Sequence, residues 1–230
     1  SSAPAAAVIA AGQALVDGAG VAGVVRLDND RTDGALFDRG PVTVAGAATV
    51  TERIAGVPIA LGATEFAQVN PAQAAAMYAH VAGLVALVPG ERAADVYAGL
   101  GGISFALAAG GGAVVAIERD ASAVAALTAA ATAAGRDVTG VVGDASVLAE
   151  RGQALAAVVV NPPRKGCGPA TLAAITASSA TRLVYVSCGP DSLGRDLRTL
   201  TAAGWRVDHA QPFDLMPGTA QVETVVRLVR

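Results

Sequence analysis

The stretch "RAADVYAGLGGISFALAAGGGAVVAIERD", residues 92 to 120, holds a complete strand–turn–helix–strand unit. "RAADVYAGLGG" is a short apolar run entering a glycine turn at Gly99, Gly101 and Gly102. "ISFALAAGGG" has the composition of a helix, and "AVVAIERD" is again β-rich and ends on Glu118. Outward toward the C-terminus the alternation continues. "SAVAALTAAATAAG" is a helix, "VTGVVGDA" a strand, "LAAVVVNPPRKG" a strand, "PATLAAITASSA" a helix, and "RLVYVSCG" a strand. Short β-rich runs separated by helices of this length predict an α/β fold with a doubly wound, mostly parallel sheet. Such sheets bind ligands beyond the carboxyl ends of their strands, so the polar residues at those ends are the candidate site.

Outward in the other direction, "NPAQAAAMYAHVAGLVALV" predicts a helix with Asn70 as its N-cap and Pro71 at the first helical position. Residues 1–65 read as a small α+β subdomain: a helix, "AAAVIAAGQALVDGA", then short β-like runs "GVVRLDN", "GALFDRG" and "VTVAGAATVTERIAGVPIALG". The chain is therefore divided into a small α+β subdomain, 1–65, and a larger α/β domain, 66–230.

Composition narrows the function classes. The 230 residues are 53% hydrophobic and 15% charged, which is a globular rather than a disordered composition. No apolar run reaches the roughly 18 residues of a membrane helix, and the N-terminus lacks the basic region of a signal peptide, so a cytoplasmic protein without a membrane partner is expected. Cys167 and Cys188 are too few for a disulfide framework, and neither they nor His80 and His209 have metal-ligand spacing, so no metal is expected in this chain. A net charge of −3 leaves no global basic footprint, so any affinity for nucleic acid must be local.

The strand ends carry the chemistry. Glycines at 99, 101 and 102 allow a tight turn and close approach of the backbone to a ligand. Glu118 could accept both hydroxyls of a ribose, and Asp144 after the third strand could bond an adenine amino group. A dinucleotide would need the G-x-G-x-x-G fingerprint, but Ser104 stands where its last glycine would fall. Glycine turn, ribose acid and third-strand Asp together favour S-adenosyl-L-methionine. Asn161 in "NPPRKG" fits the Asn-Pro-Pro pattern of amino-group methyltransferases, except that Arg164 replaces the expected aromatic. A guanidinium suits a phosphate or carbonyl oxygen better than it suits a flat amine-bearing base.

Five motifs in order, "FAQVNPAQ", "DVYAGLGG", "VNPPRKG", "YVSCGPDSLGRDL" and "FDLMPGTAQVETVVRL", resemble the signatures of the RNA uracil-C5 methyltransferases (TrmA/RumA-like). The resemblance spans about residues 60 to 230, and Asn161 is more like the 23S rRNA enzymes of the RumB/RlmC type. It implies a Rossmann-like class I methyltransferase that transfers a methyl group from S-adenosyl-L-methionine to carbon 5 of a uridine in RNA. By the resemblance Cys188 is the nucleophile that adds to uracil carbon 6, and Glu223 is the general base. Gln68, Tyr97, Gly99, Gly102, Glu118, Asp144 and Asn161 fall at positions toward the methyl donor or the uracil, and Arg164 and Arg195 toward the RNA or the ordering of the site.

A thiolate nucleophile predicts a positive environment for Cys188, supplied by the N-terminus of a helix beginning in "DSLGRDL" and capped by Asp191. "VETVVRL" predicts that Glu223 opens a β-run at a sheet edge. Departures from the family are Ala98 where a Cys is usual, and Gln221 where His or Tyr is frequent. The N-terminal OB-like RNA-binding domain and the four-cysteine iron–sulfur site of many members have no counterpart in the chain. The implied partner is RNA, rRNA before tRNA, and the expected state is a monomer. Two further readings remain: an amino-group methyltransferase working through Asn161, and a cofactor-binding module without RNA methylation activity.

Overall fold

The computed structural model describes residues 5–28, 40–150 and 154–230. The run "GALFDRG" lies almost wholly outside the described residues. Compactness separates one unit, drawn from the chain up to Glu52 with Ala60–Ala67, from a second, Arg53–Ile59 with Gln68–Arg230.

In the first unit helix α1 (Ala5–Ala19) packs on an antiparallel pair, β1 (Gly23–Arg26) and β2 (Val42–Gly46). Two further strands, β3 (Thr49–Ile54) and β4 (Val57–Gly62), form a hairpin. Its two-residue turn, Ala55–Gly56, has φ of 47° and 80°, the positive pair that matches the twist of the flanking strands. The turn end of that hairpin belongs to the second unit, where Val57 and Ile59 are buried.

The second unit opens with α2 (Pro71–Val85). Asn70 Oδ1 accepts the Gln73 amide at 3.2 Å and Pro71 fills the first helical position, as the sequence predicts. There follow β5 (Arg92–Val96), α3 (Gly102–Ala108), β6 (Ala113–Glu118), α4 (Ala121–Ala133), β7 (Val138–Val142), α5 (Val147–Glu150), β8 (Ala157–Val160), α6 (Pro169–Ala177), β9 (Arg182–Ser187), α7 (Pro190–Ala202), β10 (Arg206–Phe213) and β11 (Glu223–Val229). Seven strands make one sheet in the order β10-β11-β9-β8-β5-β6-β7. β9, β8, β5, β6 and β7 are parallel, and β11 runs antiparallel to β9 and β10. β8 and β9 are buried almost throughout, as strands covered on both faces require. The chain leaves β5 toward β6 and β7, then returns to β8 on the other side of β5. The reversal makes the crevice between the ends of β5 and β8 the expected ligand position.

Two local expectations are corrected. α7 begins at Pro190 with Gly189 as its N-cap and no side-chain cap bond, so Asp191 lies inside the first turn. Proline at the first position dictates this start, because its missing N–H and fixed φ suit that place. Glu223 does open a strand, but β11 is interior, since β10 folds back to pair outside it and becomes the edge. No helix among the described residues is long and apolar enough to cross a membrane.

Candidate active site

The carboxyl ends of β5, β6, β7, β8 and β9 place Tyr97–Gly102, Glu118, Asp144, Asn161 and Cys188 along one edge of the sheet. Tyr97 is held at φ +66°, a left-handed conformation that a bulky residue adopts only under constraint. The constraint is visible. The amides of Tyr97 and Ala98 both donate to Ile117 O, at 3.0 and 3.1 Å, and Tyr97 Oη meets Thr171 Oγ1 of α6 at 3.0 Å. Gly99 donates its amide to Glu118 Oε2 at 3.0 Å, and an added Cβ there would meet nothing within 4 Å. Glu118 Oε1 accepts the amides of Arg119 and Asp120 at 2.7 and 3.0 Å. Three of the about four acceptor positions of that carboxylate are thus in use, and the free one is on Oε2.

Asp144 is further out. Its carboxylate accepts the Ser146 amide at 2.9 Å and pairs with Arg119 at 3.2 Å, and these bonds hold it below the ordinary Asp range. Asn161 is tied to the end of β5 by its amide, which donates to Val96 O at 3.3 Å. Gln68 is half-buried just ahead of α2.

The 35 positions between Cys188 and Glu223 are closed by strand register. The ladder between β9 and β11 ends at the pair Ser187–Thr224; Cys188 directly follows the one and Glu223 directly precedes the other, and the Glu223 charge acts on the thiol. Cys188 is half-exposed and Glu223 only 8% exposed. Burial, and then the Glu223 charge, push the thiol above its ordinary value, while Arg164 pulls it down by charge and hydrogen bonding. Burial also raises Glu223, against the opposing Arg164 charge. The expectation of a thiolate-favouring environment is therefore corrected: burial first, and the Glu223 charge second, raise the thiol against the pull of Arg164. Backbone packing fixes the neighbouring loop. Gly189 lies so close to Arg164 O that a Cβ would sit 2.9 Å from it, and Ser192 Oγ donates to the same oxygen at 2.9 Å.

Arg195 is engaged by its neighbours. It donates to the fully buried Asp196 (Nε and Nη2, 3.0 and 2.8 Å) and to Lys165 O (2.7 Å), bracing the "NPPRKG" loop. Asp196 Oδ2 in turn accepts from Tyr185 Oη and the Cys167 amide, both at 2.7 Å. Burial pushes the Cys167 thiol up to about 12, which leaves it inert.

Two residues absent from the sequence-derived set adjoin the site. Tyr78 of α2 lies against Gly102, where an added Cβ would fall 2.7 Å from its ring, and its phenol is pushed up to about 12 by burial, Asp95 and Glu223. Asp95, fully buried on β5, accepts a 2.6 Å bond from Ser104 on Oδ2 and leaves Oδ1 without a partner, as Glu223 Oε2 is left. An acidic residue four positions before Gly99 and a tyrosine on the α2 face are legible signals only once the strand and helix are known to converge. The two histidines, distant in sequence, meet with Nε2 atoms 3.1 Å apart, but no cluster of three or more metal-ligating side chains occurs among the described residues.

An open sheet with this strand order, a glycine turn at the switch point and an acid ending the next strand define a Rossmann-like methyltransferase fold. A solved tRNA (uracil-54, C5)-methyltransferase of Pyrococcus abyssi, in complex with S-adenosyl-L-homocysteine, superposes with a TM-score of 0.73 over 90% of this chain and 51% of its own, at 25% identity. Residues 148–230 match the model of the tRNA (uracil-5-)-methyltransferase family. RNA methyltransferases of Clostridium acetobutylicum and Lactiplantibacillus plantarum, both described as uncharacterized, are 32% and 37% identical over 92% and 81% of the chain. The chain spans 47% and 40% of those two proteins. The family model and these relatives support a place for the chain beside the RNA uracil-C5 methyltransferases.

Proposed function

We propose that this chain carries the methyl-transfer site of an enzyme that methylates carbon 5 of a uridine in RNA, using S-adenosyl-L-methionine. The observation that supports the reading is the end of the β9–β11 ladder, where Ser187 pairs with Thr224 and Cys188 and Glu223 adjoin that pair. The residues fit the methyl donor. Glu118 keeps an acceptor position for a ribose hydroxyl, and Gly99 leaves open space. The unpartnered Asp95 and Glu223 oxygens suit a positively charged ligand. Gly99, Gly102, Tyr97, Glu118 and Asp144 would hold the donor, with Gln68 and Asn161 toward the uracil. When bound, the donor supplies an electrophilic methyl group.

The chain's own residues do the rest. Carbon 5 of uracil is a poor nucleophile; Cys188, after its thiol proton has passed to water, adds as thiolate to carbon 6 and makes carbon 5 enolate-like. After carbon 5 has taken the methyl group, Glu223 removes the proton from carbon 5 and the sulfur leaves carbon 6 as thiolate. A carboxylate raised toward neutrality by burial suits that transfer. Arg164, which acts on both groups, is the cation available to the thiolate and to the oxygen of the enolate. The uridine must leave its stack to present both ring faces. Asn161 in place of Asp favours 23S rRNA over tRNA as the substrate.

The test is a covalent complex. RNA containing 5-fluorouridine, with the methyl donor, should give an adduct that survives denaturation, because the fluorine cannot be removed as a proton. Cys188→Ala should abolish it, and an undiminished adduct in that variant removes the nucleophile assignment. Activity retained by Cys188→Ala on an amino group would favour the Asn161 reading. Mapping of methylated uridines in rRNA and tRNA from a deletion strain decides the substrate.

A further inference from the structure

An open groove of about 770 Å³ lies between α6 and α7, and Arg195, Asp196 and Cys167, described above, are among its lining. Leu172, Ala173 and Thr176 of α6 and Thr199 of α7 form its walls, and the exposed Lys165 and Arg195 stand at its rim. Lys165 is the only lysine in the chain and has no ion-pair partner among the described residues. Arg195 uses three of its five N–H donors on Asp196 and Lys165 O, which leaves the two on Nη1 and fixes the plane of the guanidinium. Among the described residues Asp196 is the one acidic residue of the lining, and its oxygens are already engaged by Arg195, Tyr185 and Cys167. The groove therefore presents cations without a competing free carboxylate, over an apolar wall.

Position selects the occupant. Lys165 follows Asn161 by four residues and Arg164 by one, so the rim lies within about 14 Å of chain from the candidate site. We propose that the groove takes the single-stranded RNA segment adjoining the target nucleotide, its phosphates on Lys165 and Arg195 and a base against the α6 wall. This rests on the reading of the chain as an RNA methyltransferase. Single strands are held in this way, by a cationic track beside surfaces on which bases pack, and such a contact is sequence-tolerant. It also answers the charge problem: a chain of net charge −3 needs a local track for a polyanion.

The single lysine makes the test specific. The full chain is treated with an amine-acylating reagent with and without a saturating oligouridylate of about ten nucleotides, within the span of a single-strand site. Acylation of Lys165 is followed by peptide mass spectrometry, with the α-amino group as internal reference. RNA should slow Lys165 acylation about fivefold relative to that reference. Lys165→Ala should lower the slope of log K against log salt by about 0.7, the single-strand value for one lost phosphate contact. The same oligonucleotide carrying 5-fluorouridine reports adduct formation at Cys188. An adduct without Lys165 protection and with an unchanged salt slope overturns the groove assignment and leaves the proposed function standing. Protection without an adduct supports the groove and counts against the methyltransfer reading. Protection by an acidic amphipathic peptide but not by RNA would assign the groove to a protein segment and overturn the proposal.

Discussion

Gly166→Ala tests whether the "NPPRKG" loop is held by backbone proximity to the buried Asp196 cluster. Gly166 sits at φ +78°, and a Cβ there would lie 2.6 Å from both Arg195 Nη2 and Asp196 Oδ2. The left-handed backbone alone costs about 1–2 kcal/mol for an alanine. Relief of the clash must move Asp196, which is 0% exposed and cannot shift without loosening a bond from Tyr185 or from the Cys167 amide. One such bond to a charged group is worth about 1.5–3 kcal/mol. The expected destabilisation is therefore about 3–5 kcal/mol, or a fall in Tm on the order of 10 °C for a chain of this size. Gly194→Ala is the control. It lies on α7, its added Cβ would meet only Arg198 Nη1 at 3.9 Å, and it should stabilise by up to about 1 kcal/mol through helix propensity. Urea and thermal unfolding of both variants give the comparison. A Gly166→Ala protein within about 1 kcal/mol of wild type, on the same scale as these terms, would refute the argument.

Three further outcomes are expected. Cys188 should react with iodoacetamide at pH 7.5 more slowly than a free cysteine, and Glu223→Gln should speed it, because removal of the neighbouring anion lowers the thiol pKa; an unchanged rate would separate the two groups. Burial raises Asp95 from 3.8 to about 7, so its neutral form is the one the fold favours: its contribution is full below about pH 4 and is lost as pH rises through 7. Relative to wild type, Asp95→Asn should therefore gain stability from pH 4 to 7, by at most about 4 kcal/mol, and then level off; parallel stability curves would contradict the assignment. Glu118→Gln should weaken binding of the methyl donor about 10–100-fold in calorimetry with little change in Tm, since a charge-assisted acceptor is lost.

Much of this architecture is legible in the chain because the strands are short and buried and the helices between them are punctuated by glycine, proline and a capping Asn70. What escapes sequence reading is what depends on neighbours. Asp191 looks like a cap until Pro190 takes the first helical position. Glu223 looks like an edge residue because nothing in "VETVVRL" shows that β10 will pair outside it. The Cys188 thiol is raised by burial and then by a carboxylate 35 positions away, and Arg195 turns inward because Asp196 beside it is buried. Tyr78 and Asp95 enter the site only through the packing of α2 and α3, a contact with no local signature.

The pairing of β9 with β11 makes the proposed nucleophile and base a property of alignment rather than of either residue alone. Side chains alternate along a strand, so one residue inserted within β11 after Glu223 would turn that carboxylate to the opposite face while every residue type is retained. The same insertion in the connection from Asp214 to Val222 would leave the ladder intact. Length variation among natural descendants of such a chain should thus be permitted in that connection and purged from the first residues of β11, a boundary drawn by hydrogen-bond spacing and visible as a sharp edge in where insertions survive.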